Sequence, residues 1–462
     1  MFKIFIISIT TSLLAIGITG CGKTDNDKPA TETKVNLITL DPGHFHAALV
    51  QKTMYDQISP TVYVYGPDGP DTKDHLNRID GFNNRKDDPT SWDEKVYTGV
   101  DFLEKMISEK KGNVVVISGN NAKKTDYIFK TVEAGFNVLA DKPMVITPEK
   151  FPLLIEAFDQ AEKNNVLLYD VMTERHEITT VLQKELAHSP AVFGQLQKGS
   201  IDAPAITKES VHHFFKYVAG NAIKRPGWFF DVTQEGDGIV DVSTHLVDLI
   251  QWECFPEQII DYKNNVEMLQ AKRWATELSQ EQFTKVTQLE SFPDYLSKDI
   301  KNNTLNVFSN GEFTYKINDV HAKVSVIWNY QAPEGAGDTH YSIMRGTKCN
   351  LIIQQGKDEN YKPTLYVEAI GNNDIAADLQ MAITETLQEK YPGIALEAIS
   401  GGKWKVVIPA KYHVGHEAHF GQVTEKYLKY LADGKLPKWE VPNMIAKYFT
   451  TTAALKMAME QQ

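Results

Sequence analysis

VVVISGNNAKKTDYIFKTVEAGFNVLADKP, residues 114–143, decides how this chain is read. Residues 114–118 form a short apolar run that ends in Gly119-Asn120-Asn121, the pattern of a buried strand and its turn. A helix reads over 124–134, Gly135 suits its C-cap, and a second strand reads over 137–140. The segment ends on Asp141-Lys142-Pro143. A lysine at the carboxyl end of a buried strand stands where open α/β sheets place their chemistry. Pro143 keeps the backbone at Lys142 extended, so the amine is not absorbed into a helix.

The same alternation extends to both sides. Residues 35–40 read as a strand that breaks at Asp41-Pro42-Gly43, and a helix pattern runs from Phe45 to Lys52. A strand over 61–65 stops at Gly66-Pro67-Asp68-Gly69-Pro70. Residues 71–95 are polar and read as an irregular excursion. A helix over 100–109, another over 149–164 and a strand over 166–170 complete a Rossmann-like, doubly wound parallel sheet over 35–175. After that the pattern changes. Candidate strands over 192–201, 304–309, 312–317, 321–329, 340–345, 349–354 and 364–369 alternate in part, with a helix near 238–252. Two closing helices, 417–433 and 441–459, flank Gly434-Lys435-Leu436-Pro437. Residues 176–462 therefore read as an α+β second domain with a largely antiparallel sheet, for substrate binding or oligomerisation, and the class is α/β.

The chain begins with Lys3 and a mostly apolar run, Ile4 to Ile18, too short for a mature membrane span. Ile18-Thr19-Gly20-Cys21 resembles the lipobox of bacterial lipoproteins. That resemblance makes residues 1–20 a signal peptide and Cys21 the lipidated first residue of a protein held at the cell envelope, periplasmic or surface-facing. An ordinary secretory signal is the alternative. Residues 21–34 lack large apolar side chains and read as a flexible tether. The net charge is −12, one unit more negative without Lys3, and no basic block occurs, which argues against nucleic acid as a partner. Cys254 and Cys349 are the other two cysteines; spacing does not show whether they pair. No Cys/His cluster has zinc spacing. His212-His213 and the triplet His413, His416, His419 lie near other elements, and no metal is expected.

Four stretches carry a family resemblance, in order. The first is 114–143, with Asn121, Glu133, Ala134, Gly135, Lys142 and Pro143. The second is Arg175 with the helix after it and Phe193-Gly194. The third is WFFDVTQEGDGIVDVSTHLVDL, from Trp228, a glycine-rich turn leading to Asp241, His245 and Asp248. The fourth is Arg345-Gly346-Thr347-Lys348 with Asp433-Gly434-Lys435. Together they resemble the glucose-fructose oxidoreductase, inositol dehydrogenase and rhizopine-catabolism (Gfo/Idh/MocA) oxidoreductases, and within them an exported bacterial lipoprotein subgroup. Asp141 stands where the family usually has glutamate.

The resemblance implies NAD or NADP as cofactor, and a sugar, polyol or glycoside as substrate. It also implies roles. His245 is the general base, Asp241 binds substrate and tunes the site, and Lys142 contacts substrate and nicotinamide. Ser118, Asn120, Asn121 and Asp141 lie along the cofactor, and Arg175 near the substrate or the domain crossover; Trp228 and Tyr169 are candidates to stack on a sugar, with core packing the other reading of each. A homo-oligomer is the family habit. The departure is the phosphate-binding turn. A dinucleotide site wants Gly-x-Gly-x-x-Gly, for a tight turn and close approach of backbone amides to the pyrophosphate. Here the turn is Asp41-Pro42-Gly43-His44-Phe45-His46-Ala47. Gly43 is the one glycine left, Pro42 removes an N–H, and His44 and His46 are candidate phosphate donors. Asp68, after the second strand, is the candidate for the ribose hydroxyl, or else an ordinary turn aspartate.

On a helix Asp241 and His245 share one face, with Asp248 on that side. Histidine titrates near pH ~6.5 and suits proton transfer. Export bears on mechanism, because a released reduced cofactor needs a pool to exchange with. Two enzymatic routes follow: a tightly held cofactor recycled within each turnover, by which transient oxidation allows elimination or epimerisation, or dehydrogenation with a separate electron acceptor. A catalytically degenerate glycan-binding lipoprotein is the non-enzymatic alternative.

Overall fold

Six strands pair in parallel: β1 (Leu37–Leu40), β2 (Thr61–Tyr65), β3 (Asp93–Tyr97), β4 (Val114–Ile117), β5 (Asn137–Asp141) and β6 (Leu168–Val171), in the order β3-β2-β1-β4-β5-β6. The computed structural model that shows this describes residues 34–218 and 221–461, so Cys21 and the signal segment lie outside the described residues. β1, β4 and β6 are buried at every residue, which explains their unbroken apolar runs. β3, at the edge, is DEKVY and mostly exposed, and its charges discourage pairing with another chain. The connecting helices are α1 (His46–Leu49), α2 (Pro70–Asn84), α3 (Phe102–Glu109), α4 (Asn121–Glu133) and α5 (Phe151–Lys163). Right-handed crossovers that leave β1 and β4 in opposite directions put helices on opposite faces.

Residues 71–95 correct the sequence reading. They are no excursion: they form α2 and the edge strand β3. Pro70 at the first helical position starts α2, and only Thr72, His75 and Ile79 are buried along it. So thin a buried stripe leaves little periodicity to see.

The second sheet has ten strands among the described residues, one of which, Ile300–Lys301, pairs only with Thr304–Ile317 and lies off the main path. Its path runs Val266–Ser279, Thr304–Ile317, Val320–Gln331, β7 (Ile206–Phe215), Thr339–Arg345, Cys349–Gln354, Thr364–Ala369, Lys403–Val407 and Ala395–Ser400. All neighbours on the path are antiparallel except β7 against Val320–Gln331, which is parallel. The expected strand over 192–201 is absent. Turns replace it, with positive φ at Gly194 and Gly199 and isolated bridges at Leu196 and Gly199. The expected strands over 304–309 and 312–317 are one. β7 and Val266–Ser279 were not foreseen. β7 hides Lys208 and two histidines among its apolar residues, and Lys208 is buried because Glu253 pairs with it at 2.8 Å. α6 (Ile178–Ala187) and α7 (Ser243–Cys254) pack on this sheet. Cys254 and Cys349 are buried and unpaired.

The chain carries two apolar cores, one around each sheet. The closing helices, His416–Asp433 and Glu440–Glu460, return to the first core, to which they give Phe420, Val423, Tyr427, Leu428, Met444 and Tyr448. Tyr427 stacks on Tyr169 of β6 with ring centroids 6.0 Å apart. Among the described residues no helix is long and apolar enough to cross a membrane.

Candidate active site

The strand order reverses between β1 and β4, and the crevice at that switch point is where doubly wound sheets bind ligands. Gly119 lets the turn after β1 close against the turn after β4: a Cβ there would lie 2.3 Å from the Asp41 carbonyl oxygen. The turn after β1 folds onto it, with Gly43 N and His44 N donating to Ser118 O at 3.1 and 3.3 Å. Asp41 adopts a positive φ of 45°, and its Oδ2 accepts from Tyr127 Oη at 2.9 Å, with Lys123 Nζ 3.5 Å away.

Asp141, at the end of β5, gathers this end of the sheet. Its Oδ2 accepts from His46 Nδ1 at 2.8 Å and Ser118 Oγ at 3.1 Å, and His44 Nδ1 is 3.5 Å away. The buried Lys124 donates to its carbonyl oxygen at 3.1 Å. Burial pushes His46 down to about 4 and lowers His44, so both rings are neutral at pH 7. Burial alone would raise Asp141, but His46, His44 and Lys124 together hold its carboxyl well below the usual range. His44, His46 and Asp141 are the trio that could share a cation among the described residues, their ligand atoms lying within 4.8 Å of one another.

Lys142 points away from that hub and bonds to Asp241 Oδ1. Burial works against its charge, yet Asp241 and Asp141 outweigh it and raise its pKa. Lys142 is a fixed cation. α7 proper starts at Ser243, two residues after Asp241, not at 238. The backbone is already coiled there, with Asp241 N donating to Asp237 O at 3.0 Å, so Asp241 and His245 still face one space. Burial, then Lys142, drive the His245 pKa well down, so its ring is neutral. Nδ1 is enclosed without a partner, which leaves Nε2 as the nitrogen open to the cavity. The glycine-rich turn before α7 is needed here: a Cβ at Gly238 would lie 1.9 Å from Ser309 O.

These side chains line a cavity of about 420 Å³, whose walls also include His44, Phe45, His46, Arg225, Phe229 and Trp328. Sequence reading missed Glu235, although it sits within the third stretch. It is buried; burial, then Asp241, push its carboxyl well up. Asn121 Nδ2 holds it, donating to its carbonyl oxygen at 2.7 Å and to Oε2 at 3.3 Å. Nothing local marks this glutamate, since burial, which the sequence does not show, moves its pKa most.

Other expected site residues lie elsewhere. Arg175 forks onto Asp248 at 2.6 and 2.7 Å and reaches Glu440 at 3.1 Å, all buried. It joins β6, α7 and the last helix instead of lining the cavity. Trp228 donates from Nε1 to Asp71 Oδ2 at 3.1 Å, and its neighbour Phe229 supplies the aromatic wall. Asn120 caps α4, accepting from Ala122 N at 3.1 Å, and donates to Gln234 Oε1 at 2.7 Å. Asp68 is exposed and pairs with Lys73 at 3.0 Å.

Residues 73–169 match the model described as "Oxidoreductase family, NAD-binding Rossmann fold", and residues 182–459 match "Putative oxidoreductase C terminal domain". The chain belongs to the Gfo/Idh/MocA oxidoreductase family. A crystal structure of "a putative oxidoreductase from Parabacteroides merdae ATCC 43184" is 58% identical, superposes with a TM-score of 0.91, and covers 93% of this chain and 98% of its own. A levoglucosan dehydrogenase in complex with NADH and levoglucosan shares the fold at 13% identity and a TM-score of 0.60, covering 93% of this chain and 98% of its own. An oxidoreductase structure from Thermotoga maritima does so at 14% identity and a TM-score of 0.59, with 93% and 99% coverage. No curated protein matches the chain.

The NAD-binding domain of this family member has room for the nicotinamide end of a dinucleotide at the switch point, where the cavity opens beside Lys142 with His44, Phe45 and His46 in its wall. The phosphate side is built differently. The Gly43 and His44 amides are spent on Ser118, so Gly43, His44, Phe45 and His46 would meet the cofactor through side chains and surface.

Proposed function

We propose that this oxidoreductase oxidises a hydroxyl of a sugar, polyol or glycoside, with a nicotinamide dinucleotide held tightly and re-oxidised within each turnover by returning the hydride to the product or to a second carbonyl substrate. The observation that carries the reading is the Lys142–Asp241 pair facing one cavity with a neutral His245. The bound cofactor supplies the hydride acceptor. The rest belongs to the chain. His245 Nε2 takes the hydroxyl proton. The Lys142 ammonium stabilises negative charge growing on that oxygen, and Asp241 fixes its position and protonation. Glu235, its carboxyl pushed up by burial and then by Asp241, is placed to donate a hydrogen bond. A polyhydroxylated ligand suits a cavity with this many polar groups beside the Phe229 and Trp328 rings. The levoglucosan complex of a fold relative supports a carbohydrate ligand. Recycling follows from the lipobox at Cys21, since an exported enzyme has no nicotinamide pool to draw on.

The test is mass spectrometry of the purified, denatured protein for NAD or NADP, followed by turnover with a panel of glycosides and polyols. Bound dinucleotide and a Lys142→Met variant at least about 1,000-fold slower are expected. No dinucleotide, even when supplied, would sink the reading.

A further inference from the structure

Alcohol oxidation uses one base, yet the cavity holds a second acid–base device on another wall. It is built on β7 and the strand Thr339–Arg345, away from Lys142. His212 Nδ1 is 3.0 Å from Asp338 Oδ2, and His212 Nε2 is 2.5 Å from Ser210 Oγ. The same Ser210 Oγ is 3.1 Å from His340 Nδ1. His212, Asp338 and His340 line the cavity; Ser210 is buried behind them. The Trp328 ring stacks on His212 at 5.0 Å and fixes its plane.

Proton accounting gives this chain a direction. A carboxylate only accepts, so His212 Nδ1 carries the hydrogen. His212 Nε2 then accepts from the Ser210 hydroxyl. That hydroxyl has one hydrogen, now spent, so Ser210 Oγ accepts from His340 Nδ1–H. His340 Nε2 is left with a free lone pair in the cavity wall. Burial lowers both His212 and His340, so each starts neutral. Asp338 is anchored further by His213 Nδ1 at 3.3 Å and by Lys216.

We propose that His340 is a second catalytic base of this cavity, set by the Asp338–His212–Ser210 relay, and that it removes a proton from the carbon next to a substrate carbonyl. The inference rests on the carbohydrate reading of the same cavity. The carbonyl is a ketone, delivered as such or made by hydride loss to the oxidised cofactor. The C–H electron pair forms a carbon–carbon double bond, and the carbonyl π pair moves onto oxygen, giving an enolate. The proton goes to His340 Nε2. The Nδ1 proton of His340 passes to Ser210 and the Ser210 proton to His212, so the positive charge settles beside Asp338. Reprotonation from the same face restores the ketone with solvent hydrogen, and from the opposite face gives the epimer. A group on the next carbon can leave instead. This makes the enzyme competent for enolisation as well as oxidation.

The test uses methyl hexopyranosides oxidised to the ketone at carbon 2, 3 or 4 in turn, incubated with the full protein in D₂O and read by mass spectrometry. Deuterium uptake next to the carbonyl, faster than without enzyme, is expected for at least one of them. His340→Ala should lose about 100-fold or more of that exchange, and added imidazole should restore part of it. A purely structural histidine would not be rescued. Ser210→Ala should fall likewise, with an unchanged circular dichroism spectrum. No exchange with any ketone, or full exchange in His340→Ala, overturns the proposal. Reduction of the bound dinucleotide to bound NADH in a single turnover with the parent glycosides is measured alongside, since a recycled cofactor accumulates no free NADH. Exchange without NADH retains the relay and removes the oxidoreductase reading; NADH without exchange does the reverse.

Discussion

His46 and Asp141 are 95 residues apart in the chain and 2.8 Å apart in space, Nδ1 to Oδ2. The bond fastens the rewritten turn after β1 to the residue that precedes Lys142. The two departures from the family pattern, histidine in the turn and aspartate for glutamate, are thus one structural unit. A shorter carboxylate at 141 leaves room for the imidazole.

Asp41 is the sharpest mismatch with a phosphate-bearing ligand. Asparagine tolerates positive φ and can still accept from Tyr127, so Asp41→Asn removes the charge and little else. We expect NAD to bind about three- to tenfold more tightly, by isothermal titration calorimetry, with a weaker salt dependence. Unchanged affinity would mean that Asp41 does not face the phosphates.

The Lys142 charge depends on Asp241. In Asp241→Asn the opposing carboxylate is gone, so burial prevails and the lysine pKa falls. The alkaline limb of the kcat/KM profile should move to lower pH by about one unit or more. A profile that loses height without moving would separate Asp241 from the lysine.

Arg175 holds a buried network with Asp248, Glu440 and, through Asp248, Lys447 at 2.9 Å. Arg175→Met leaves two carboxylates short of their partner. A loss of about 3–5 kcal/mol in urea unfolding is expected, with KM little changed in the protein that folds. A KM effect with full stability would return Arg175 to the substrate.

His75 is buried on α2, neither ring nitrogen has a protein partner, and burial pushes it down to about 4. The folded state therefore binds fewer protons than the unfolded one between about pH 4 and pH 6.5. Its contribution is complete above that window and is lost as pH falls through it. His75→Met should flatten the drop in Tm between pH 7.5 and pH 5, measured by calorimetry. An equally steep drop would assign acid sensitivity to other groups.

Legibility followed the origin of each signal. β1, β4, β5 and β6 are short apolar runs at regular spacing, and Lys142, Asp241 and His245 stood out because their spacing and neighbours are local. β7 was hidden because Lys208 and His212 find their partners, Glu253 and Asp338, 45 and 126 residues away. Polar residues that look like surface become core once such partners exist. Glu235 was missed because burial does most to shift it, and Arg175 proves to serve the crossover rather than the substrate because its carboxylates are 73 and 265 residues distant.

The closing helices give the assembly an order in time. Tyr427 and Tyr448 fill the first core, and Tyr448 Oη donates to the buried Asp170 at 2.8 Å, so the NAD-binding sheet is not sealed until the last helix has been made. The first half of the chain to leave the ribosome waits for the last. An unfinished molecule therefore shows an open apolar flank to any chaperone that holds it, and cutting the chain after β6 would not release a self-sufficient dinucleotide-binding module.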